Sequence, residues 1–281
     1  MQQSKAVCIT LLLTIVSLIL IPLQWLAMKA GHPVQRQLPL LWHRIATRLI
    51  GIRIIQKGQP ATHRPLLIVA NHASWADITV LGAVMPLSFI AKSEVEGWPI
   101  FGLFAKLQRS VFVNRTRRAE TGAAANQIAG RMASGDAMVL FAEGTSSDGS
   151  RVLPFRSALL GAATKALENG APVQVQPLSI VYARQHGIPL DRRSRPRIAW
   201  YGDMELGGHL WGVLCNGALD VELTWGEPVE VTPATDRKAL TAHIHAEVRH
   251  MTISALTGRT QPDTGAGAED EPAETEDQPA Q

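Results

Sequence analysis

From Ala6 to Met28 the chain runs 23 residues without a charge, bounded by Lys5 and Lys29. At about 1.5 Å of rise per helical residue, such a run crosses a hydrocarbon layer of about 30 Å. It predicts a membrane helix. Pro22 can kink it, so a helix entering one leaflet fits as well as one that spans. A signal peptide is the rival reading, but the apolar core is long for one and no small-residue cleavage site is obvious. From Pro33 to Ile55, Leu38, Leu41, Trp42, Ile45, Leu49 and Ile52 recur at helical spacing, with Arg36, Arg44 and Arg48 mostly off that stripe. This predicts an amphipathic helix within 31–57, lying on a membrane surface or packed on the core. Between Leu66 and Trp225 strand-like and helix-like runs alternate. The strands fall at 66–70, 87–91, 110–114, 137–142, 173–182, 197–202 and 219–225. The helices fall at 77–85, 97–107, 118–134, 154–169 and 206–216, with a closing helix at 239–256. Alternation of this kind predicts an α/β fold with a mixed, largely parallel sheet flanked by helices. The organisation is then a membrane helix (1–30), an amphipathic helix (31–57), an α/β domain (58–258) and a tail (259–281). That tail is rich in Pro, Gly, Ala and acids, a composition that predicts disorder.

Charge changes the picture. The formal net charge is +3, but the tail holds seven acids and one base. Without it, 26 basic and 17 acidic residues remain, a body charge of +9. A basic body suits an anionic membrane surface or an acidic carrier protein. No nucleic-acid module is present and aromatics are only 5%, so nucleic acid is not expected as a partner. Lys29, Arg36, Arg44, Arg48 and Arg53 follow the apolar run while Lys5 precedes it, which places the body on the cytoplasmic side of an inner membrane. Cys8 and Cys215 form neither a disulfide framework nor a zinc site, and no other metal-ligand cluster stands out.

The chemistry gathers where strands end. After Leu66–Ala70 comes Asn71 to Asp77, NHASWAD. Asp77 can hold one ring nitrogen of His72 and fix its tautomer; the other nitrogen can then take a proton from a hydroxyl. The spacing alone is weak, because His186 and Asp191 repeat it in a stretch that runs into Arg192, Arg193 and Arg195 as a solvated loop would. Context separates them, since the first pair has an apolar strand before it, Asn71 and Ser74 in the turn, and an apolar helix after it. SVFVNR (Ser110–Arg115) ends a strand on an arginine, a planar fork for carboxylate or phosphate or else a solvated basic turn. FAEGTSS (Phe141–Ser147) puts Glu143, Gly144 and Thr145 at another strand end. If the strands are parallel, that is the edge where His72 sits. There is no Gly-x-Ser-x-Gly elbow, phosphate loop or dinucleotide glycine pattern, so His72 reads as a base acting directly on a bound hydroxyl.

NHASWAD, VFVNR, FAEGT and the stretch Val173–Leu178 (VQVQPL) resemble, in order and spacing, the four motifs of the glycerolipid acyltransferases of the 1-acylglycerol-3-phosphate acyltransferase type. The resemblance implies transfer of an acyl group from acyl-carrier protein or acyl-coenzyme A to a lipid hydroxyl, with no further cofactor. It implies His72 as base and Asp77 as its partner, with Asn71, Ser74, Arg115, Glu143, Gly144 and Thr145 as the substrate-binding set. The third motif departs from the family form Phe-Pro-Glu-Gly-Thr-Arg-Ser: Ala142 stands for the proline and Ser146 for the arginine. Loss of that cation weakens the case for a phosphate-bearing acceptor. FAEGTSSDGSRVLPFRSALLGAA, YGDMELGGHLW and WGEPV are similar to the lyso-ornithine lipid acyltransferases of bacteria. That acceptor implies Arg115 on its carboxylate, Glu143 on its ammonium and His72 on its hydroxyl. A lysophosphatidate acceptor is the alternative within enzymes, and a membrane lipid-binding protein with a dead site the alternative outside them.

Overall fold

The computed structural model describes residues 2–114, 118–160, 173–232 and 234–258. Two helices lead, α1 (Gln2–Lys29) and α2 (Gln37–Ile50). Then come β1 (Ile52–Lys57), β2 (Leu66–Ala70), α3 (Ala76–Val84), β3 (Ser88–Lys92), α4 (Phe101–Leu107), β4 (Val111–Val113), α5 (Arg118–Ala133) and β5 (Ala137–Phe141). The rest is β6 (Val173–Gln185), β7 (Ile188–Pro189), α6 (Leu206–Asn216), β8 (Leu219–Trp225), β9 (Val229–Val231) and α7 (Arg237–Thr257).

β4, β3, β5, β2 and β6 lie side by side and parallel. β8 joins β6 antiparallel, and β1 lies beyond it, parallel to β8. β7 and β9 are short antiparallel additions to β6. The sheet is mixed and largely parallel, as the alternation predicts. β2 is apolar throughout because both of its faces are covered. Leu66, Ile68 and Ala70 enter a core shared with α3 and α6; Leu67 and Val69 enter a second core shared with α5 and α7. Period-two alternation thus feeds both layers. Since β2, β4 and β5 run the same way, their carboxyl ends open on one edge, and the stretches expected to carry chemistry follow those ends.

The expected interfacial helix over 31–57 is shorter than its apolar stripe. Gly51 adopts φ 85° and its N–H donates to the carbonyls of Thr47 and Arg48, which ends α2. Ile52–Lys57 is instead β1, in register with Leu219–Thr224. The expected strand at 197–202 is also absent. Arg195–Arg197 forms a short 3-10 turn, and Ile198 and Ala199 are buried without strand pairing. Of the expected helix at 154–169, Ser157–Leu160 is a 3-10 turn and 161–169 lies outside the described residues, as does the tail from Arg259.

α1 is docked along its length. Ala6, Ile9, Ser17, Gln24 and Ala27 are buried, and the helix meets α2, α4 and α6. Gln24 Nε2 donates to the carbonyls of Leu107 at 2.7 Å and Gln35 at 3.0 Å, and Trp42 Nε1 donates to Ser17 Oγ at 2.9 Å. The opposite face, with Leu11, Ile15, Leu18, Ile19 and Leu26, is bare. At the amino edge of the sheet, Asp136 binds Arg36, Arg109 and Arg131 at 2.9, 2.7 and 2.6 Å. Burial disfavours its charge, but the three guanidiniums outweigh burial and hold the carboxyl below its ordinary range.

Candidate active site

The turn from β2 into α3 is built around Asp77, which is fully buried in the first turn of α3. Its Oδ2 accepts from the backbone N–H of Ala73 at 2.8 Å and of Ser74 at 3.1 Å. The same oxygen lies 2.8 Å from His72 Nδ1, and Oδ1 accepts from the Tyr182 hydroxyl at 2.6 Å. With Asp77 ionised, this pairing makes Nδ1 the protonated nitrogen and leaves the lone pair on Nε2. Among the described residues no partner takes Nε2, and the His72 side chain stays 18% exposed. The ring is also held by its face: it stacks on Phe141 at 4.0 Å and 16°, and Phe141 stacks in turn on Phe89. The result is one basic nitrogen, fixed in direction, at the carboxyl edge of a parallel sheet.

Three neighbouring segments fasten the turn. Asn71 closes a two-way clamp on β6: its Nδ2 donates to Ile180 O at 2.9 Å and its Oδ1 accepts from Ile180 N at 2.8 Å. Ser147 N donates to His72 O at 2.8 Å, and Trp200 N donates to Ala73 O at 2.8 Å. Two of the expected substrate contacts are therefore placed inside the turn. Asn71 is 3% exposed with its amide spent on Ile180, and Ser74 is fully buried with its hydroxyl beside Ala76 N. Both frame the turn.

Glu143 is covered too. It stands after β5 beside His72, as parallel strands require, but it is 2% exposed. Burial pushes its carboxyl up to about 8, and the Asp77 charge adds to this; the amides of Leu153 and His72 pull the other way without reaching good hydrogen-bond geometry. A covered, neutral carboxyl offers no ion pair to an ammonium headgroup at neutral pH. Gly144 turns the chain at φ 76°, and Thr145 is exposed at the edge. Arg115 lies outside the described residues. The second His-x4-Asp pair does not meet: His186 turns the β6–β7 hairpin at φ 51°, and Asp191 caps Ser194 N at 2.7 Å.

Tyr182, the Phe141 ring and the Trp200 amide complete the site without having been read from the sequence. Phe141 opens a stretch that was singled out, but for its acid and glycine. Tyr182 shows only as one more apolar-face position of a strand.

The Acyltransferase family pattern matches residues 51–181. The chain is 53% identical over 249 residues to a lyso-ornithine lipid O-acyltransferase of Brucella abortus (strain 2308), covering 88% of this chain and 93% of that protein. It is 44% identical over 265 residues to a lyso-ornithine lipid O-acyltransferase of Rhizobium meliloti (strain 1021), covering 94% and 89%. The crystal structure of the 1-acyl-sn-glycerophosphate acyltransferase of Thermotoga maritima superposes with a TM-score of 0.61 at 21% identity, over 93% of this chain and 100% of that one. At that identity the likeness speaks for the fold alone.

Proposed function

The chain belongs to the acyltransferase family, and from that premise we propose that it moves a fatty acyl group from acyl-carrier protein or acyl-coenzyme A to the hydroxyl of a lysolipid, lyso-ornithine lipid first among them. The acyltransferase class follows from the family. The acceptor reading is supported by two relatives that share this name over nearly their whole length.

One observation carries the mechanism: His72 Nδ1 is locked on Asp77 at 2.8 Å while the ring remains accessible. Nε2 takes the proton of the acceptor hydroxyl as its oxygen attacks the thioester carbonyl carbon. Asp77 stabilises the imidazolium that forms. The tetrahedral oxyanion collapses, the carbon–sulfur bond breaks, and the departing thiolate receives the proton from Nε2. A thiolate leaves readily, so no covalent enzyme intermediate is needed. Arg115 is proposed to meet the ornithine carboxylate; Glu143 is not assigned to the ammonium.

α1 keeps a bare apolar side, and Ile100, Leu103 and Trp211 are exposed on or beside α4 and α6, the helices it meets. Because α1 lies against the body along its length, it suits insertion into one leaflet on the cytoplasmic side of the inner membrane. Acceptor and product then stay in the bilayer, and the basic body draws an acidic carrier protein. The test offers purified protein both lyso-ornithine lipid and lysophosphatidate in vesicles with one acyl donor, read by product mass. Ornithine lipid should dominate; a phosphatidate excess overturns the acceptor. His72→Ala should lose ~10²–10⁴-fold in rate. A folded variant with wild-type turnover overturns the base; lysolipid binding by the wild-type protein with no product from either acceptor favours a lipid-binding role.

A further inference from the structure

Asp77 has two oxygens, and the reaction just described accounts for one. Oδ2 serves His72 and the two turn amides; Oδ1 points into the core, where its partner is the hydroxyl of Tyr182 at 2.6 Å. Tyr182 is 2% exposed and belongs to the apolar core on that face of the sheet, where the Ser74 hydroxyl is a second polar neighbour of the phenol beside Asp77. A hydroxyl in such surroundings is costly unless it is hydrogen-bonded, and phenylalanine would fill the same space without that cost. The residue is aimed with care. Asn71 clamps β6 at Ile180, two positions earlier on the same face, and β6 shifts register between Tyr182 and Arg184. A shift of this kind re-aims side chains beside sites.

We infer that Tyr182 is a positioning residue of the His72–Asp77 pair, holding the Asp77 carboxylate in the plane that receives Nδ1–H and setting how strongly that carboxylate attracts the imidazolium proton. The inference rests on the reading of His72 as base. Without the hydroxyl, Oδ1 would lose its Tyr182 donor in the core, leaving the carboxylate held through Oδ2 alone and more strongly proton-attracting. Burial and the Asp77 charge drive the phenol well above its ordinary range, so it remains a donor through the working pH range.

The experiment is a pH–rate profile of the full-length enzyme in vesicles for wild type, Tyr182→Phe, and protein carrying 3-fluorotyrosine at 182. Phe removes the donor; the fluorinated ring keeps it and makes it a stronger one. Glu143 is the other titratable group shown against the pair and ionises at about 8, so the acidic limb is read below pH 7. Tyr182→Phe should lose about tenfold in kcat with KM for donor and acceptor unchanged. Its acidic limb should move up by about one pH unit, because a less satisfied Asp77 stabilises the imidazolium. Fluorotyrosine should move the limb the other way. Limbs that stay in the wild-type position in both proteins overturn the inference, whether kcat falls or not, because a packing role lowers the active fraction without moving a limb. If Tyr182→Phe does not fold, the fluorotyrosine limb alone decides. His72→Gln separates the two readings: if it is inactive while both Tyr182 proteins keep the wild-type limb, His72 stands as base and only the role of Tyr182 falls.

Discussion

Glu143 is buried and neither carboxyl oxygen finds a hydrogen-bond partner among the described residues, so its protonation follows from its place behind His72. With its carboxyl raised from the ordinary 4.5 to about 8, the folded protein keeps a proton that the unfolded chain gives up. Its contribution to stability is therefore whole below pH 4.5 and is lost as pH rises through about 8. Glu143→Gln removes that titration. The unfolding free energy of the variant relative to wild type, read from denaturant melts, should climb between pH 5 and pH 8 and level off above, with a span on the order of a few kcal/mol. A difference that stays constant with pH would mean that Glu143 is ionised throughout. His43, fully buried and held down near 4 by burial against the pull of its Gln108 hydrogen bond, acts the opposite way at lower pH, and taking the difference cancels it. At this scale the sequence was legible where partners are close along the chain. His72 and Asp77 share one turn, and the solvated fate of His186 and Asp191 follows from the arginines beside them. Tyr182 reaches Asp77 across 105 positions and Asn71 reaches Ile180 across 109; no local pattern announces such pairs. Glu143 was found but its burial was not, because a strand-end carboxylate looks the same in sequence whether it faces solvent or the back of a histidine.

Elements were legible wherever burial imposed one period. β2, β5, β6, β8 and α6 stand close to where alternation and length put them, because each meets a uniform environment. β1 was hidden because Ile52 continues the helical stripe of Leu38 to Leu49, and the break rests on the left-handed Gly51 alone. Residues 197–202 carry the apolarity of a strand for another reason: Ile198 and Ala199 are buried in a loop whose Trp200 amide supports the His72 turn. Element packing also yields a test at Gly82. There α3 crosses α2 so closely that a Cβ would stand 2.6 Å from Cγ and 2.7 Å from Nε2 of the His43 ring. The ring cannot retreat, since it is buried and its Nε2 is 3.0 Å from Gln108 Oε1, whose amide in turn donates to Leu87 O. Alanine is the better helix former by about 1 kcal/mol. Overpacking of a fixed core typically costs about 1–3 kcal/mol, which outweighs that gain. Gly82→Ala should therefore lower the denaturation midpoint, and a raised midpoint would show that the α2–α3 contact is slack.

For the whole molecule, one helix is asked to be two things. The inner face of α1 is protein core: Gln24 spends its amide donors on the carbonyls of Gln35 and Leu107, and Ser17 accepts from Trp42. Its outer face has no partner among the described residues, with Leu11 58% and Leu18 69% exposed seven residues apart, about two turns on one side. If that face lies in lipid, charge placed there must be dragged out of hydrocarbon at about 2.5–3.5 kcal/mol per residue at depth, and at less near the headgroups. Leu11→Asp combined with Leu18→Asp touches no intramolecular hydrogen bond, so the fold should hold with a melting temperature close to wild type. Partition into vesicles should fall at least ~100-fold. Turnover of an acceptor embedded in those vesicles should fall in parallel, while turnover of a short-chain acceptor dispersed in solution should stay within about twofold, because the His72 turn draws no support from either position. Equal loss on both acceptors would mean that α1 supports the active site rather than placing it at the bilayer. Undiminished vesicle binding would mean that the bare face is turned to something other than lipid.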